Sequence, residues 1–334
     1  MQRAKHIQGL LSKGERDLFD RAWELTRGNH GSDFTFYLPG MIRYGSMRGR
    51  YPALSLTGTR CQMQCEHCKG LLLEPMIQAA TPEALVGKCL KLARSGHSGV
   101  LLSGGSDHRG RLPWGRFVKA ISRVKSETGL FISVHCGFPD YDTAVALKGA
   151  GVDQALIDIM GDEDTARKIY HLDGLHEVVS SLEALSRSQL DMVPHIVAGL
   201  NYGSIQGEYE ALRIVSRFQP SALVVVVLTP LKGTPMAGVS PLPPIEVARL
   251  IARARVSMPH IPISLGCERP RNKQNELMES LAVYAGATRM AVWSQKTVDL
   301  VLDLGLQPRF QPTCCSVPYR QDHGAQVSVP PFSN

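Results

Sequence analysis

No apolar stretch of this 334-residue chain reaches the about 18 residues that a membrane-spanning helix needs; the longest continuous run covers residues 222–228. Basic residues never gather into a tract, so the net charge of +7 is scattered and does not point to nucleic acid. No G-x-G-x-x-G fingerprint follows the first strand-like run, which speaks against a doubly wound dinucleotide-binding sheet. The eight cysteines are too few and too clustered for a disulfide scaffold, and no second Cys-x-x-Cys pair follows the first at zinc-finger distance. The first residues are mixed and charged rather than an apolar signal core. With 43% apolar and 20% charged residues, a soluble globular protein is expected. Its clustered thiols would have to stay reduced to serve as ligands, which places it in the cytoplasm.

What is present is the stretch Cys61-Gln62-Met63-Gln64-Cys65-Glu66-His67-Cys68. Three thiols so spaced can turn inward together from one loop, and thiolates suit iron–sulfur clusters or zinc. Three cysteines on a 4Fe–4S cluster leave one iron open to a ligand from outside the protein. Zinc in a structural site would want a fourth protein ligand. His67 lies between two of the thiols, where its ring is expected to be badly placed to share their metal. A zinc loop or three unrelated buried cysteines remain the alternatives.

From residue 53 a short apolar run, a loop and an amphipathic helix recur. The runs are 53–57, 99–103, 130–134, 154–159, 191–197, 222–228, 261–265 and 288–293. Helical patterns are expected over 82–95, 114–127, 140–149, 162–188, 206–218, 244–257, 273–284 and 295–304, preceded by a helix at 13–27. Eight alternations of this kind predict an α/β fold, a (β/α)8 TIM-type barrel, because buried parallel strands read as continuous apolar runs. The expected division is an N-terminal helix and lead-in loop over 1–52, the barrel over 53–305, and a C-terminal tail over 306–334 that crosses the barrel mouth.

Active sites in such barrels collect at the C-terminal ends of the strands. Just past the runs stand the cysteine triad, Ser103-Gly104-Gly105-Ser106, His135-Cys136, Asp158, His195 with Gly199 beyond it, and Cys267. Asp158, His135 and His195 are ordinary structural groups or substrate and cofactor ligands. Glu208 has a sufficient structural reason at a helix start, where the dipole favours an acid. Cys89 reads as a small core residue. Cys314-Cys315 lies in the tail; with Cys267, and Cys136 as a spare, it is a candidate holder of a second cluster.

The Cys-x3-Cys-x2-Cys spacing, with an aromatic ring before the last cysteine, resembles the radical S-adenosylmethionine superfamily. The resemblance implies a 4Fe–4S cluster on Cys61, Cys65 and Cys68, with S-adenosylmethionine chelating the open iron. Reductive cleavage would then give a 5′-deoxyadenosyl radical that abstracts hydrogen from the substrate. Ser103-Gly104-Gly105 resembles the superfamily's Gly-Gly-Glu motif, with Ser106 in place of the Glu; its bare backbone would meet the cofactor. The loop from Gly199 to Glu208 and the stretch Leu231-Lys232-Gly233-Thr234-Pro235-Met236 resemble loops of biotin-synthase-like barrels. Ser103, Gly104, Gly105, Asp158, Gly199 and Glu208 are therefore the candidate cofactor-binding residues.

Within the superfamily the chain most resembles one component of the two-protein lipoyl synthase. That likeness rests on Phe36-Tyr37-Leu38-Pro39-Gly40, Leu56-Thr57-Gly58, Leu102-Ser103-Gly104-Gly105, Pro194-His195-Ile196, Gly266-Cys267-Glu268-Arg269-Pro270 and Cys314-Cys315. It implies sulfur insertion into an octanoyl chain on a lipoyl-carrier protein, a second (auxiliary) 4Fe–4S cluster on Cys267, Cys314 and Cys315, a second subunit of similar fold and an electron-donating protein. No nucleic acid or membrane is expected as partner. The alternatives are a biotin-synthase-like or hydrogenase-maturase-like enzyme on a small molecule, and a non-catalytic metal-binding assembly partner.

Overall fold

A computed structural model describes residues 9, 12–40, 42–271 and 274–320. Tail residues 321–334, the start of the 1–52 segment and the first residue of the helix expected at 273–284 lie outside them. The chain opens with α1 (Lys13–His30), started by Ser12, whose hydroxyl accepts from the Glu15 amide while the Glu15 carboxylate accepts from the Ser12 amide. Glu15 also binds Arg249, which pins this helix to a later one.

The strands are β1 (Asp33–Tyr37), a small antiparallel hairpin of β2 (Arg43–Tyr44) and β3 (Met47–Arg48), then β4 (Ala53–Ser55) and β5 (Ile77–Gln78). Alternation follows: α2 (Pro82–Arg94), β6 (Gly99–Ser103), α3 (Val118–Thr128), β7 (Phe131–His135), α4 (Tyr141–Gly149), β8 (Gln154–Asp158), α5 (Glu163–Lys168), α6 (His176–Arg187), β9 (Met192–Ala198) and α7 (Glu208–Val215). It continues through β10 (Leu223–Val227), α8 (Pro244–Ser257), β11 (Ile263–Leu265), α9 (Asn275–Tyr284), β12 (Arg289–Ala291), α10 (Gln295–Asp303) and β13 (Gln307–Gln311). Each of the eight expected runs overlaps a strand. The helix expected over 162–188 is two helices, because the chain turns back at His171, whose φ of 58° no helix can hold.

Eleven strands form one parallel sheet in the order β13-β1-β12-β11-β10-β9-β8-β7-β6-β4-β5. It curls into a TIM-type barrel left open between the end strands β13 and β5. Two of its strands contradict the reading of their segments as a lead-in loop and a patternless tail: β1 lies between β12 and β13, and β13 closes the series. β13 begins Gln307-Pro308-Arg309, a pattern that only an edge strand tolerates. Strands such as β10, Leu-Val-Val-Val-Val and buried throughout, face apolar groups on both sides. The outer side of the sheet packs under the helices. The inner side carries Tyr37, Leu156, Val193, Ala222, Val224, Val226 and Ala291.

Beyond β13 the tail turns into the barrel instead of crossing its mouth. The Arg50 amide donates to the Pro312 carbonyl, just before β4. The Ser316 carbonyl accepts from the side chains of Gln154 and Arg289, the first residues of β8 and β12. These bonds draw residues 312–317 inward at the N-terminal ends of the strands.

Candidate active site

The cysteine loop follows β4 and is closed by its own backbone. The amides of Cys68 and Lys69 donate to the Cys65 carbonyl at 3.1 and 2.9 Å. Gln64 and Lys69 take positive φ, 46° and 45°, which turns the loop tightly enough to gather its side chains. Cys65 is buried, and Cys61 and Cys68 are half-buried. Hydrogen bonding between Cys65 and Cys68 leaves the shared proton on Cys65 and pulls Cys68 down to about 4, with His67 helping. The same contact and burial push Cys65 far up.

His67 is not badly placed, contrary to expectation. One of its ring nitrogens and the sulfurs of Cys65 and Cys68 all lie within 4.8 Å of one another. The sharp turn brings a residue between two thiols onto the same side as both. Burial opposes an imidazolium there, but contact with Cys68 outweighs it and raises the His67 pKa.

Ser103-Gly104-Gly105-Ser106 leaves β6 directly beneath this loop. A side chain at Gly105 would place its Cβ 2.0 Å from the Arg60 carbonyl oxygen and 2.5 Å from the Cys61 Cα, so only glycine fits. The backbone here is less bare than expected. The Gly105 amide donates to Thr57 Oγ1 at 2.7 Å, and the Ser106 carbonyl accepts from the Gln62 amide at 2.8 Å. Ser106 thus meets the cysteine loop through its main chain.

Glu208 is buried at the start of α7, and both its oxygens are engaged: Oε1 by the Gly199 amide at 2.7 Å, Oε2 by the Gln206 amide at 2.8 Å. Burial raises its pKa against those bonds. Its carboxylate shapes the loop from Gly199, where φ is 77°. Asp158, at the end of β8, accepts from Tyr170 Oη at 3.2 Å and sits 3.5 Å from His135 Nε2. The rings of His135 and His195 are 5.5 Å apart on the inner side. Burial, then His135, holds His195 down to about 4, so its imidazole is neutral.

The remaining thiols fall into two sets. Cys315 is buried among the inner-side residues, Cys267 packs against the same group, and Cys314 meets Tyr51 and Val317. Burial, then Cys314, pushes Cys267 up to about 12. Cys136 is withdrawn from this set: alternation along β7 turns His135 inward and Cys136 outward, into the layer under the helices, where its thiol donates to the Leu156 carbonyl at 3.2 Å. Cys89 is buried in α2, as expected.

The model of the Biotin and Thiamin Synthesis associated domain matches residues 225–317, a span that includes Cys267, Cys314 and Cys315. A biotin synthase of Geobacter sulfurreducens is 25% identical over 265 residues, covering 75% of this chain and 77% of that protein. One from Pelotomaculum thermopropionicum is 30% identical over 183 residues, 52% of this chain and 53% of that protein. Across three quarters of its length the chain is similar to biotin synthases, in line with the resemblance drawn from its cysteine motif. Solved structures agree on the fold: methylornithine synthase has a TM-score of 0.64 at 20% identity, covering 91% of this chain and 92% of that one. The hydrogenase maturase HydG of Carboxydothermus hydrogenoformans has 0.67 at 15% identity, covering 90% and 73%.

The likeness to biotin synthases implies a 4Fe–4S cluster and S-adenosylmethionine. The donor set fits: Cys61, Cys65 and Cys68 are free thiols in one loop, which leaves one iron to the cofactor. Among the described residues no helix is long and apolar enough to cross a membrane.

Sequence reasoning missed two groups around this site. Tyr170 packs against His67 at 5.3 Å and bonds Asp158, tying the cysteine loop to the barrel interior. Arg269 and Glu279 form a fully buried pair at 2.8 Å, and Arg269 also donates to the carbonyls of Gly266, Ala291 and Val292. This pair fastens the loop carrying Cys267 to the end of β12. The acidic partner lies ten positions on, in a different element, so no local pattern announced it.

Proposed function

We propose that this protein inserts sulfur into an unactivated C–H bond, the substrate being an octanoyl chain on a lipoyl-carrier protein. One observation carries the reading: the tail brings Cys314 and Cys315 inside the barrel, toward Cys267. Three thiols there could hold an auxiliary 4Fe–4S cluster as a sulfur source, apart from the rim triad. The inner side around Cys315 is lined by Leu156, Val193, Val224 and Val226, which suits an aliphatic chain.

When bound at the rim, the cluster and S-adenosylmethionine supply a hydrogen-abstracting radical. The protein's part is to bind, orient and exclude water. Cys61, Cys65 and Cys68 would hold the cluster, with Ser103, Gly104 and Gly105 supporting the loop and Asp158 reaching the cofactor or substrate. Gly199 would line the cofactor loop, with Glu208 shaping it. The unit 53–305 would carry the chemistry, 1–52 and 306–334 contributing β1 and β13 to its sheet. A second subunit of similar fold, an electron-donating protein and the lipoyl carrier would be the partners, in the cytoplasm.

A second reading is favoured equally by the matched domain and the biotin synthases: sulfur insertion into a small-molecule precursor of biotin. Anaerobically reconstituted protein given S-adenosylmethionine, a strong reductant and either octanoyl-lysyl carrier or the small precursor distinguishes them. Sulfur appearing in the carrier supports the first reading. Sulfur only in the small molecule replaces it with the second. Release of 5′-deoxyadenosine with sulfur in neither product sinks both.

A further inference from the structure

The turn that bears the motif cysteines holds a fourth donor. His67, Cys65 and Cys68 each offer one ligand atom, and these lie within 4.8 Å of one another, the only such group of His, Cys, Asp or Glu found among the described residues. Cys61 stands apart, its sulfur facing the Ser106 carbonyl oxygen at 3.9 Å. His67 Nδ1 is buried without a hydrogen-bond partner, where a buried polar nitrogen ordinarily has one. Tyr170 packs against the ring at 5.3 Å and keeps it in place. The Glu66 amide donates to the Ile169 carbonyl at 2.9 Å, and the His171 ring meets the Gln64 carbonyl and the Glu66 carboxylate at 3.2 and 3.1 Å. The donors therefore stand together on bonds of the protein's own making.

We propose that in the cluster-free chain Cys65, His67 and Cys68 form a mononuclear site for one thiophilic divalent cation, zinc being the best fit. Two thiolates and an imidazole are a soft donor set that tetrahedral zinc accepts, with the fourth position left to water. Binding displaces whatever protons the three donors hold as the dication enters, and no electron moves. A cluster needs Cys61 as well; a single ion does not. Both occupants use Cys65 and Cys68, so they exclude each other, and a zinc-loaded chain has no open iron to offer S-adenosylmethionine. The loop then has two metal states, and the ion that arrives first decides whether the protein can become an enzyme.

The full chain, stripped of metal and kept reduced and oxygen-free, is titrated with Co2+ and then Zn2+. One Co2+ per chain is expected, with thiolate-to-metal charge-transfer absorption and the visible bands of tetrahedral geometry, both removed by Zn2+. Cys61→Ala is expected to bind Co2+ as the unaltered chain does while failing to take up a 4Fe–4S cluster. His67→Phe is expected to lose about tenfold or more in Co2+ affinity. X-ray absorption on the unaltered zinc form covers the case of a misfolded variant, and two sulfurs with a nitrogen neighbour are expected. No stoichiometric Co2+ binding, dependence on Cys61, indifference to His67, or three sulfurs around zinc each overturn the proposal. Cluster uptake and 5′-deoxyadenosine release, measured separately, report on the enzyme reading and leave this one standing or falling by itself.

Discussion

Cys61, Cys65 and Cys68 come from one loop, half of which is open at the rim; Cys267, Cys314 and Cys315 come from the ends of two strands and are drawn to the inner side of the sheet. The first group is assembled by short backbone bonds within and beside the loop, so its geometry survives almost anything done elsewhere. The second exists because β13 pairs with β1 and because Gln154 and Arg289 seize the tail carbonyls. A locally built site is robust to global change but open to whatever metal reaches it. A site built from distant segments is protected and depends on the whole sheet.

That contrast can be attacked first at the loop. Replacing Cys61, Cys65 and Cys68 together by Ala should abolish 5′-deoxyadenosine release completely while leaving the circular dichroism and melting temperature nearly unchanged. A large fall in melting temperature would mean that the loop is structural after all. Cys314→Ala with Cys315→Ala should remove about half of the reconstituted iron, the share of one of two clusters, while 5′-deoxyadenosine release persists without sulfur transfer. Unchanged iron and sulfide would deny the inner thiols a cluster.

Glu279→Ala leaves the Arg269 guanidinium buried and unpaired, at a cost of about 3–5 kcal/mol measurable by denaturant unfolding. The Cys267 loop should loosen with it, seen as faster alkylation of Cys267, whereas the rim cysteines should react as before. Gln154→Ala removes one bond to the Ser316 carbonyl and should cost about 1 kcal/mol, seen as quicker labelling of Cys314 and Cys315.

The smallest effect tests the scaffold rather than either cysteine group. Burial, then Arg255, holds His30 down to about 4 against an ordinary 6.5. Between those values the unfolded chain binds a proton that the folded chain refuses. Stability from this group is therefore complete above about 6.5 and falls as pH drops toward about 4. The melting temperature should decline over that window, and His30→Gln should flatten the decline. An unchanged slope would show that other groups govern it.

The fold was legible where local pattern and burial agree. Strands such as β10 are buried on both faces and must be apolar throughout, so composition exposes them. β13 was not legible, because an edge strand may carry Gln, Pro and Arg and still pair. His67 was misjudged because spacing along the chain says nothing of a turn that folds a side chain back onto its neighbours. Cys136 was misjudged because residues adjacent in a strand face opposite sides, and only one of His135 and Cys136 could point inward. Glu208 was sensed as a helix-start acid, but not as the group that ties down the loop from Gly199.

By itself the sequence determined the barrel and the gathering of Cys61, Cys65 and Cys68 in one loop, since both rest on periods and spacings a few residues long, a range over which chain geometry is nearly fixed. Only the tertiary structure decided that the tail enters the barrel, that Cys315 lies beside the inner valines, and that Arg269 finds Glu279. Those contacts join groups far apart along the chain. Their partners are chosen by which surfaces the folded sheet brings together, which no local rule of chain geometry encodes.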